Sequence, residues 1–372
     1  MNILSRALRR TDPPASGKKR INLALQGGGA HGAFTWGVLD ELLGDSRIEI
    51  EGISGTSAGA INAVMVADGL ARGGPEEARK RLADFWRAAS RDGEMSTFSR
   101  AISERLFSLI PIAGGPMKAW FDTMASYLSP YDLNPLNINP LKDLIVRFVD
   151  FDAVKKSEMP LFIAATNVHT GRLRVFPREK IDADAVMASA ALPYVFKAVE
   201  IDGVPYWDGG YTANPPIYPF FRTTTTTEDV LVVQINPVLR ASTPQTSQEI
   251  VNRINEITFN ASLIAEYRAI EFVRRLIDEG ALKHGTGPGE YRRINVHRVD
   301  LGFVGKKLTA ESRLNTDYDF FETLHRAGRR AGRRFLDRHF DDIGVRSTID
   351  LREEMRAERD EAMPPGVNRL AR

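Results

Sequence analysis

Hydrophobic positions along the chain alternate between short apolar runs, typical of buried strands, and longer segments with apolar residues three or four positions apart, typical of helices. Residues 21–26 (INLALQ) predict a first buried strand, and residues 33–43 predict a helix with its apolar face at positions 34, 38, 39 and 42. The same pattern predicts further strands at 48–54, 161–168, 172–176, 230–236 and 293–299, and further helices at 58–70, 75–89, 249–279 and 318–339. Strands that alternate with helices form a mostly parallel sheet with helices on both faces, so the pattern predicts an α/β fold.

Three segments depart from this alternation. Residues 1–20 hold six basic residues and a single acid, which predicts a flexible basic arm. Residues 346–372 carry many charges of both signs and predict a charged C-terminal tail. Residues 98–140 are apolar and aromatic but broken by Gly and Pro, which fits a lid or acyl-chain pocket wall and an irregular packed insertion equally well. The remaining chain divides into a principal domain at 21–240 and a helical extension at 241–345 packed on the same domain.

Composition excludes several classes of protein. The 50 Lys and Arg residues nearly balance the 48 Asp and Glu residues, which argues against a dedicated nucleic-acid-binding protein. The absence of cysteine excludes disulfides, cysteine nucleophiles and thiolate metal sites. No paired histidine spacing suggests a metal site, and we expect no cofactor. No apolar run reaches the ~18 residues of a membrane-spanning helix, and no signal-peptide core is present, so we expect a cytoplasmic protein, with peripheral membrane contact as a further expectation.

The strongest local motif is GTSAG at residues 55–59, which fits the nucleophile elbow G-x-S-x-G. A predicted strand enters it and a predicted helix leaves it, as an elbow requires. This context holds Ser57 on a sharp turn at a helix N-terminus, while Gly55 and Gly59 leave room for close backbone approach. Ser57 is therefore a candidate nucleophile.

A second motif, QGGGAHG at residues 26–32, follows the first predicted strand. Its spacing also satisfies the dinucleotide fingerprint G-x-G-x-x-G, and Glu51 lies at about the distance that this fingerprint asks of its acidic residue. The strand with Glu51 runs straight into the Ser57 elbow, however, which a dinucleotide site does not need. Peptide N–H groups of a glycine turn that converge on one oxygen explain the motif better, as an oxyanion hole.

A third motif, DGG at residues 208–210, is by itself no more than a turn signal. Together, QGGGAHG, GTSAG and DGG, in this order and at this wide spacing, resemble the patatin-like phospholipase family. The stretch ASAALPYVFKAVEIDGVPYWDGGYTANPP at 188–216 also resembles the family's approach to its catalytic Asp. The resemblance covers roughly residues 20–240, and the later helices carry no assigned motif.

The resemblance implies a three-layer α/β/α sandwich related to the α/β-hydrolases, with 21–240 as the catalytic domain. It implies a Ser-Asp dyad in which Ser57 attacks the acyl carbonyl and Asp208 accepts its proton. The oxyanion hole would come from Gly27, Gly28 and Gly29. The remaining motif residues would support this site: His31, Gly32, Gly55, Gly59, Gly209 and Gly210.

His31 is a departure from the family motif, which often has Arg or Lys before its last glycine. A neutral imidazole gives less fixed positive charge, which puts in doubt a lipid phosphate contact there. Because His31 lies beside the glycine loop, it could instead complete a triad with Ser57. The other histidines carry no local motif, and we expect the dyad to work without them.

The sequence thus predicts a serine lipid acyl hydrolase of the phospholipase A, lysophospholipase or esterase type, acting on a lipid or acyl-ester substrate. Two alternatives stay open. One is a hydrolase of another acyl ester or thioester, and the other is a catalytically weak family member that binds lipid or a protein partner.

Overall fold

The structure is a computed structural model that describes residues 17–90, 129–134, 137–193, 195–222, 225–238, 240, 243–308 and 311–354. The strands are β1 Lys19–Leu25, β2 Ile48–Gly55, β3 Leu161–Asn167, β4 Leu173–Pro177, β5 Val199–Ile201, β6 Val204–Asp208, β7 Asp229–Gln234, β8 Lys283–His284, β9 Glu290–Tyr291 and β10 Asn295–Asp300. The helices are α1 Gly32–Gly44, α2 Ala58–Ala88, α3 Pro130–Leu133, α4 Pro140–Phe148, α5 Phe151–Lys156, α6 Ala183–Ala190, α7 Ser247–Asp278, α8 Gly302–Lys307 and α9 Tyr318–His339.

The central sheet has the strand order β10-β7-β1-β2-β3-β6-β5, with β4 paired to β3. The five strands from β10 to β3 are parallel, and β4, β5 and β6 join in antiparallel pairs. Every residue of β7 is buried, as expected of a central strand covered on both faces. The carboxyl ends of β1 and β2 therefore meet at one edge of the sheet, where the first two motifs lie.

Helices cover both faces of this sheet and form the predicted three-layer α/β/α sandwich. On one face, α1, α2 and α9 pack into the larger apolar cluster. Trp36 of α1 stacks there between Trp86 of α2 and His325 of α9, with ring centroids 6.4 Å and 3.8 Å away. On the other face, α7 packs against β7 and β10 through Leu263, Tyr267 and Ile270. Within the described ranges, no helix combines the length and apolar content that a membrane-spanning segment needs.

The structure confirms most predicted elements and refines one. The helices predicted at 58–70 and 75–89 both form, and they follow each other directly within α2. Gly74, with φ 79° and ψ −162°, breaks the helical geometry between them, just before Pro75. The break arises because Pro disfavours helical geometry at the preceding residue. Of the segment 98–140, residues 98–128 lie outside the described part, so the lid prediction stays a prediction.

Two predicted boundaries shift. Lys19 and Arg20 belong to β1 and not to an N-terminal arm, whereas residues 1–16 lie outside the described part. The extension at 241–345 supplies β10 to the central sheet, where the strand at 293–299 was predicted. The first residues of the predicted charged tail pack on the fold: Thr348 N donates to Val296 O at 3.1 Å, and Leu351 is buried against α7 and β10. Residues 355–372 are outside the described part.

Candidate active site

Ser57 occupies a sharp turn between β2 and α2. Its backbone has φ 54° and ψ −122°, a conformation that side-chain-bearing residues rarely adopt and that often marks a functional site. The turn is tight enough that both flanking glycines are required. A Cβ added at Gly55 would lie 2.5 Å from Gly59 O, and one added at Gly59 would overlap Leu25 O. The sequence motif therefore forms the sharp strand-to-helix turn that a nucleophile elbow requires.

Two further residues hold the elbow in place. Thr56 Oγ1 donates to Ala213 O at 2.8 Å, which ties the turn to the loop after the DGG motif. Ser57 N donates to the side-chain Oγ of Ser189 at 2.9 Å. Ser189 lies at the end of α6 and is completely buried. The backbone N–H of Ser57 is thus engaged within the protein.

Asp208 ends β6 and is also completely buried. Its backbone is fixed twice, because its N–H donates to Ala191 O at 2.9 Å and its C=O accepts from Thr166 Oγ1 at 2.8 Å. Its side-chain Oδ1 accepts from Gly210 N at 2.7 Å. Gly209 has no room for a side chain, because an added Cβ would overlap Ala164 O. The DGG motif thus forms a rigid turn that orients one carboxylate.

The protonation of Asp208 is set by opposing influences. Burial raises its pKa to about 6, while the Gly210 N–H, the Ser57 hydroxyl and the positive charge of Arg313 each lower it. The Ser57 hydroxyl lies close enough to act on this pKa, but it falls short of hydrogen-bond geometry. The second carboxylate oxygen, Oδ2, is buried and has no hydrogen-bond partner in the described part of the chain. With a pKa of about 6, the carboxylate is mostly ionised at neutral pH and can accept a proton.

The glycine loop after β1 is held by the buried side chain of Gln26. Its Oε1 accepts from the N–H groups of both Ile235 and Asn236 at 2.8 Å. Its Nε2 donates to Asn260 Oδ1 at 3.1 Å and to Asn214 O at 3.3 Å. Gln26 thus connects the carboxyl ends of β1 and β7 to the loop after DGG and to α7.

Gly27 brings this loop against the elbow, since a Cβ added there would lie 2.7 Å from Ser57 Cβ. Its N–H, however, donates to Asn214 Oδ1 at 2.6 Å, and its carbonyl accepts from Asn236 Nδ2 at 2.7 Å. The prediction that Gly27 donates to the oxyanion is therefore revised. Among the described residues, the N–H groups of Gly28 and Gly29 have no hydrogen-bond partner. These two groups are the candidates that remain for the oxyanion hole.

The side-chain hydrogen bond of His31 is made with Ser312 and not with Ser57 or Asp208. Its Nε2 lies 2.7 Å from Ser312 Oγ, and its ring is buried near that of Phe320. Burial, followed by the charges of Arg313 and Arg240, lowers its pKa to about 3, so it is neutral at pH 7. Gly32, which follows it, allows α1 to approach Ala58, whose Cβ would lie 2.8 Å from an added Cβ.

The contacts of Glu51 do not support the dinucleotide interpretation of the glycine motif. Glu51 accepts from Thr226 Oγ1 and from Thr227 N, both at 2.8 Å, so its carboxylate binds the loop before β7. In the described ranges, no group of three or more His, Asp or Glu side chains is arranged to hold a metal ion.

Sequence reasoning missed four side chains of this site. Ser189 and Asn214 lie inside stretches that the family resemblance covered, but no local pattern distinguishes them from ordinary loop residues. Asn236 follows β7 and could have been suspected because the carboxyl ends of parallel strands carry functional side chains. Arg313 lies far along the chain, in a segment without a motif, and only its position in the fold connects it with the site.

Comparison with known proteins agrees with this geometry. A family model described as Patatin-like phospholipase matches residues 23–221. An uncharacterized protein of Acanthamoeba polyphaga mimivirus is 28% identical over 211 residues, which cover 54% of this chain and 61% of that protein. The chain therefore spans less than two thirds of this relative.

Two solved structures also match. The structure of VipD from Legionella pneumophila has 15% sequence identity and a TM-score of 0.35, with 84% of this chain and 68% of that chain covered. The ExoU–SpcU complex from the type III secretion system of Pseudomonas aeruginosa has 18% identity and a TM-score of 0.30, with 66% and 51% covered. These two similarities are too low to carry an argument, but the family match spans more than half of the chain and all three motifs. The chain belongs to the patatin-like phospholipase family.

Proposed function

We propose that this protein is a serine lipid acyl hydrolase that uses a Ser57–Asp208 dyad. The observation that carries the proposal is a fully buried carboxylate beside a serine in a strained turn, with one carboxylate oxygen that has no hydrogen-bond partner among the described residues. A carboxylate whose pKa is raised to about 6 is a stronger base than an ordinary Asp, yet it is still ionised at neutral pH. It can therefore do the work for which other serine hydrolases use an imidazole.

The reaction follows from these roles. The Oγ of Ser57 attacks the ester carbonyl carbon, and its proton passes to Oδ2 of Asp208. The N–H groups of Gly28 and Gly29 stabilise the negative oxygen that forms. The ester C–O bond then breaks, and the leaving alcohol takes the proton from Asp208. Water attacks the acyl-serine by the same route, which releases the carboxylic acid and restores Ser57.

Contact with a membrane surface is a further part of the proposal, and α7 supports it. Asn260 of α7 lies level with the carboxyl end of β1 through its contact with Gln26. Asp278, at the other end of α7, pairs with Arg293 just before β10 begins. The thirteen residues before Asn260 therefore form about 20 Å of helix beyond the contact with Gln26, toward the edge of the sheet that carries Ser57.

This projecting part of α7 exposes three isoleucines on one face. Ile250, Ile254 and Ile257 are 44%, 55% and 53% exposed and are spaced four and three residues apart. Exposed apolar residues at helical spacing suit the boundary between lipid head groups and acyl chains. A cytoplasmic protein that visits a lipid surface is consistent with this arrangement.

The test compares wild type with Ser57→Ala on diacylphospholipid vesicles, lysophospholipid micelles, short aryl esters and acyl thioesters. Ser54→Ala is the matched control, because Ser54 is a buried serine three residues away whose hydroxyl has no partner in the described chain. We expect Ser57→Ala alone to abolish hydrolysis and labelling by a fluorophosphonate.

The outcomes separate the alternatives. Hydrolysis confined to thioesters would favour the second class of substrate. Labelling of Ser57 without turnover on any substrate would favour a binding member of the family. Equal hydrolysis by wild type and Ser57→Ala would refute the proposal.

A further inference from the structure

Arg313 enters the candidate active site from outside the segment that matches the family. It lies in the short 3₁₀ turn Glu311–Leu314, more than ninety residues beyond residue 221. Its side chain is only 13% exposed. Its Nη2 donates to Asn236 Oδ1 at 2.7 Å, and its guanidinium carbon lies 5.8 Å from the centre of the Phe259 ring. Its Nε is buried without a hydrogen-bond partner in the described part of the chain.

This turn contacts the glycine loop at three points. Asn236, which accepts from Arg313, itself donates to Gly27 O at 2.7 Å. The backbone carbonyl of Arg313 lies 2.5 Å from the place where a Cβ at Gly29 would be. The neighbouring Ser312 Oγ lies 2.7 Å from His31 Nε2. Residues 312 and 313 therefore hold the loop whose N–H groups are the candidate oxyanion donors.

Arg313 shares its nearest carboxylate with two other arginines. Glu256 is buried and lies within 4.0 Å of three guanidinium groups, those of Arg240, Arg253 and Arg313. Besides Glu256, the carboxylate whose negative charge acts on Arg313 is that of Asp208. His31, on the other side of the loop, is neutral and adds no charge.

We propose that Arg313 is a positioning residue of the acyl-transfer site, which holds the glycine loop through Asn236 and places a fixed positive charge beside the dyad. This inference rests on the proposed function. A positive charge at this position stabilises both the ionised form of Asp208 and the negative oxygen of the tetrahedral intermediate. It also gives the C-terminal part of the chain a direct role in the site.

The experiment compares Arg313→Gln, Arg313→Lys and wild type. Arg298→Gln is the matched control, because the Arg298 side chain is similarly part-buried and ion-paired but lies on β10, where it pairs with Glu354. We expect Arg313→Gln to lower kcat on a soluble aryl ester roughly tenfold to hundredfold, with little change in KM. Arg313→Lys should recover part of this loss, and Arg298→Gln should have wild-type kcat.

A second measurement does not depend on activity. The titration of Asp208 is followed by carbon NMR of labelled aspartates, with Asp208→Asn to assign the resonance. We expect Arg313→Gln to raise the pKa of Asp208 by about one pH unit, because a charge at this range acts through a partly screened interior. Arg313→Lys should leave it near the wild-type value.

Several results would overturn the proposal. Arg313→Gln with an unmoved Asp208 titration would refute the electrostatic role even if no ester substrate were found. A folded Arg313→Gln with wild-type kcat would refute the positioning role. Arg313→Lys that matches Arg313→Gln in both readouts would show that shape, not charge, matters. By contrast, hydrolysis that survives Ser57→Ala would refute the proposed function and leave the NMR result to decide on Arg313.

Discussion

The single carboxyl group of Asp208 sets the pH at which the dyad works. Its pKa is raised to about 6 by burial, and only the ionised form accepts the Ser57 proton. We predict that kcat/KM on a soluble ester rises with pH through about 6 and is level above pH 7. A pH–rate profile on a substrate without ionisable groups measures this. A rise centred near 4, the ordinary value for Asp, would contradict the assigned environment.

The same burial predicts an unusual effect of Asp208→Asn on stability. Because the folded-state pKa lies above the unfolded value, the ionised form is disfavoured in the folded state, and the contribution of Asp208 to wild-type stability falls as pH rises from about 4 to about 7. The total fall is at most about 3 kcal/mol. Asn cannot ionise, and its Oδ1 can still accept from Gly210, so the variant lacks this fall.

Urea unfolding of wild type and Asp208→Asn at pH 4, 5, 6, 7 and 8 tests this expectation. The difference between the two proteins isolates the contribution of Asp208, since other groups titrate equally in both. We expect Asp208→Asn to be inactive yet at least as stable as wild type at pH 8. A variant that is less stable at pH 8 than at pH 4, relative to wild type, would contradict it.

Single residues were predictable where they form part of a contiguous motif. Ser57 and Asp208 lie in short patterns with glycines, because a sharp turn demands glycine at fixed offsets. The role of Gly27 was predicted wrongly, because no local pattern reveals that Asn214, far along the chain, occupies its N–H. Arg313 was not predictable at all for the same reason.

At the scale of the elements, the glycine loop predicts different effects for Gly28→Ala and Gly29→Ala, which look equivalent in the sequence. A methyl group at Gly28 would lie 2.9 Å from Ile235 Cδ1, the flexible end of a side chain that can shift. A methyl group at Gly29, where φ is 60°, would lie 2.5 Å from the Arg313 carbonyl, which cannot move without its turn.

We therefore predict that Gly28→Ala folds normally but loses roughly 10²–10³ in turnover, through disturbance of one oxyanion donor. Gly29→Ala should lose stability as well as activity, because a positive φ and a backbone overlap both oppose Ala. Thermal unfolding and single-turnover acylation of both variants distinguish these effects. Equal losses of stability in the two variants would contradict the difference.

The long helix α7 gives a test of lipid contact with a control on the same helix. Ile254→Asp should reduce binding to phospholipid vesicles and hydrolysis of vesicle substrate, since a charged group is poorly accommodated among acyl chains. Phe272→Asp is the control: Phe272 is 51% exposed, close to the 55% of Ile254, but lies toward the opposite edge of the sheet.

Vesicle sedimentation and hydrolysis of a soluble aryl ester are measured for both variants. We expect Ile254→Asp to lose vesicle binding while it keeps soluble-ester hydrolysis, and Phe272→Asp to keep both. Equal vesicle binding by Ile254→Asp and wild type would remove this face of α7 from the proposed lipid contact.

Elements with strong periodicity were predicted closely, whereas the short strands β5 and β6 were missed. The helix predicted at 318–339 matches α9 residue for residue, because its apolar face repeats over many turns. The strands β5 and β6 have only three and five residues, and β6 contains a proline. These strands form because β6 pairs with β3 and β5 pairs with β6, and this tertiary cause leaves no periodic pattern in the sequence.

At the scale of the whole molecule, the chain on both sides of the predicted division near residue 240 contributes to one central sheet. The chain before it supplies seven of the eight strands of the central sheet, and the chain after it supplies β10 next to β7. The recognisable motifs lie before residue 240, whereas buried core residues continue beyond it, as far as Leu351. A family motif marks the positions of the candidate catalytic residues. The end of a folding unit depends instead on which segments bury the apolar and charged groups of the core.

One buried cluster shows why the later chain is required. Asp229, at the start of β7, is 2% exposed. Its Oδ1 contacts His297 Nε2 at 2.8 Å and accepts from Gly344 N at 2.9 Å. Both partners come from beyond residue 240. Removing them would break both contacts and open this buried end of β7 to water.

We therefore predict that a fragment of residues 17–240 does not fold, although it contains Ser57, Asp208 and every motif. It would expose β7 as an unpaired edge, uncover the apolar face of the sheet that α7 covers, and strip Asp229 of its partners. A fragment of residues 17–354 should instead unfold in one cooperative transition, since both apolar clusters remain complete. Circular dichroism during urea unfolding and fluorophosphonate labelling compare the two. A fragment 17–240 that unfolds cooperatively and labels at Ser57 would show that this part of the chain folds independently of β10 and α7. It would then place the end of a folding unit at residue 240.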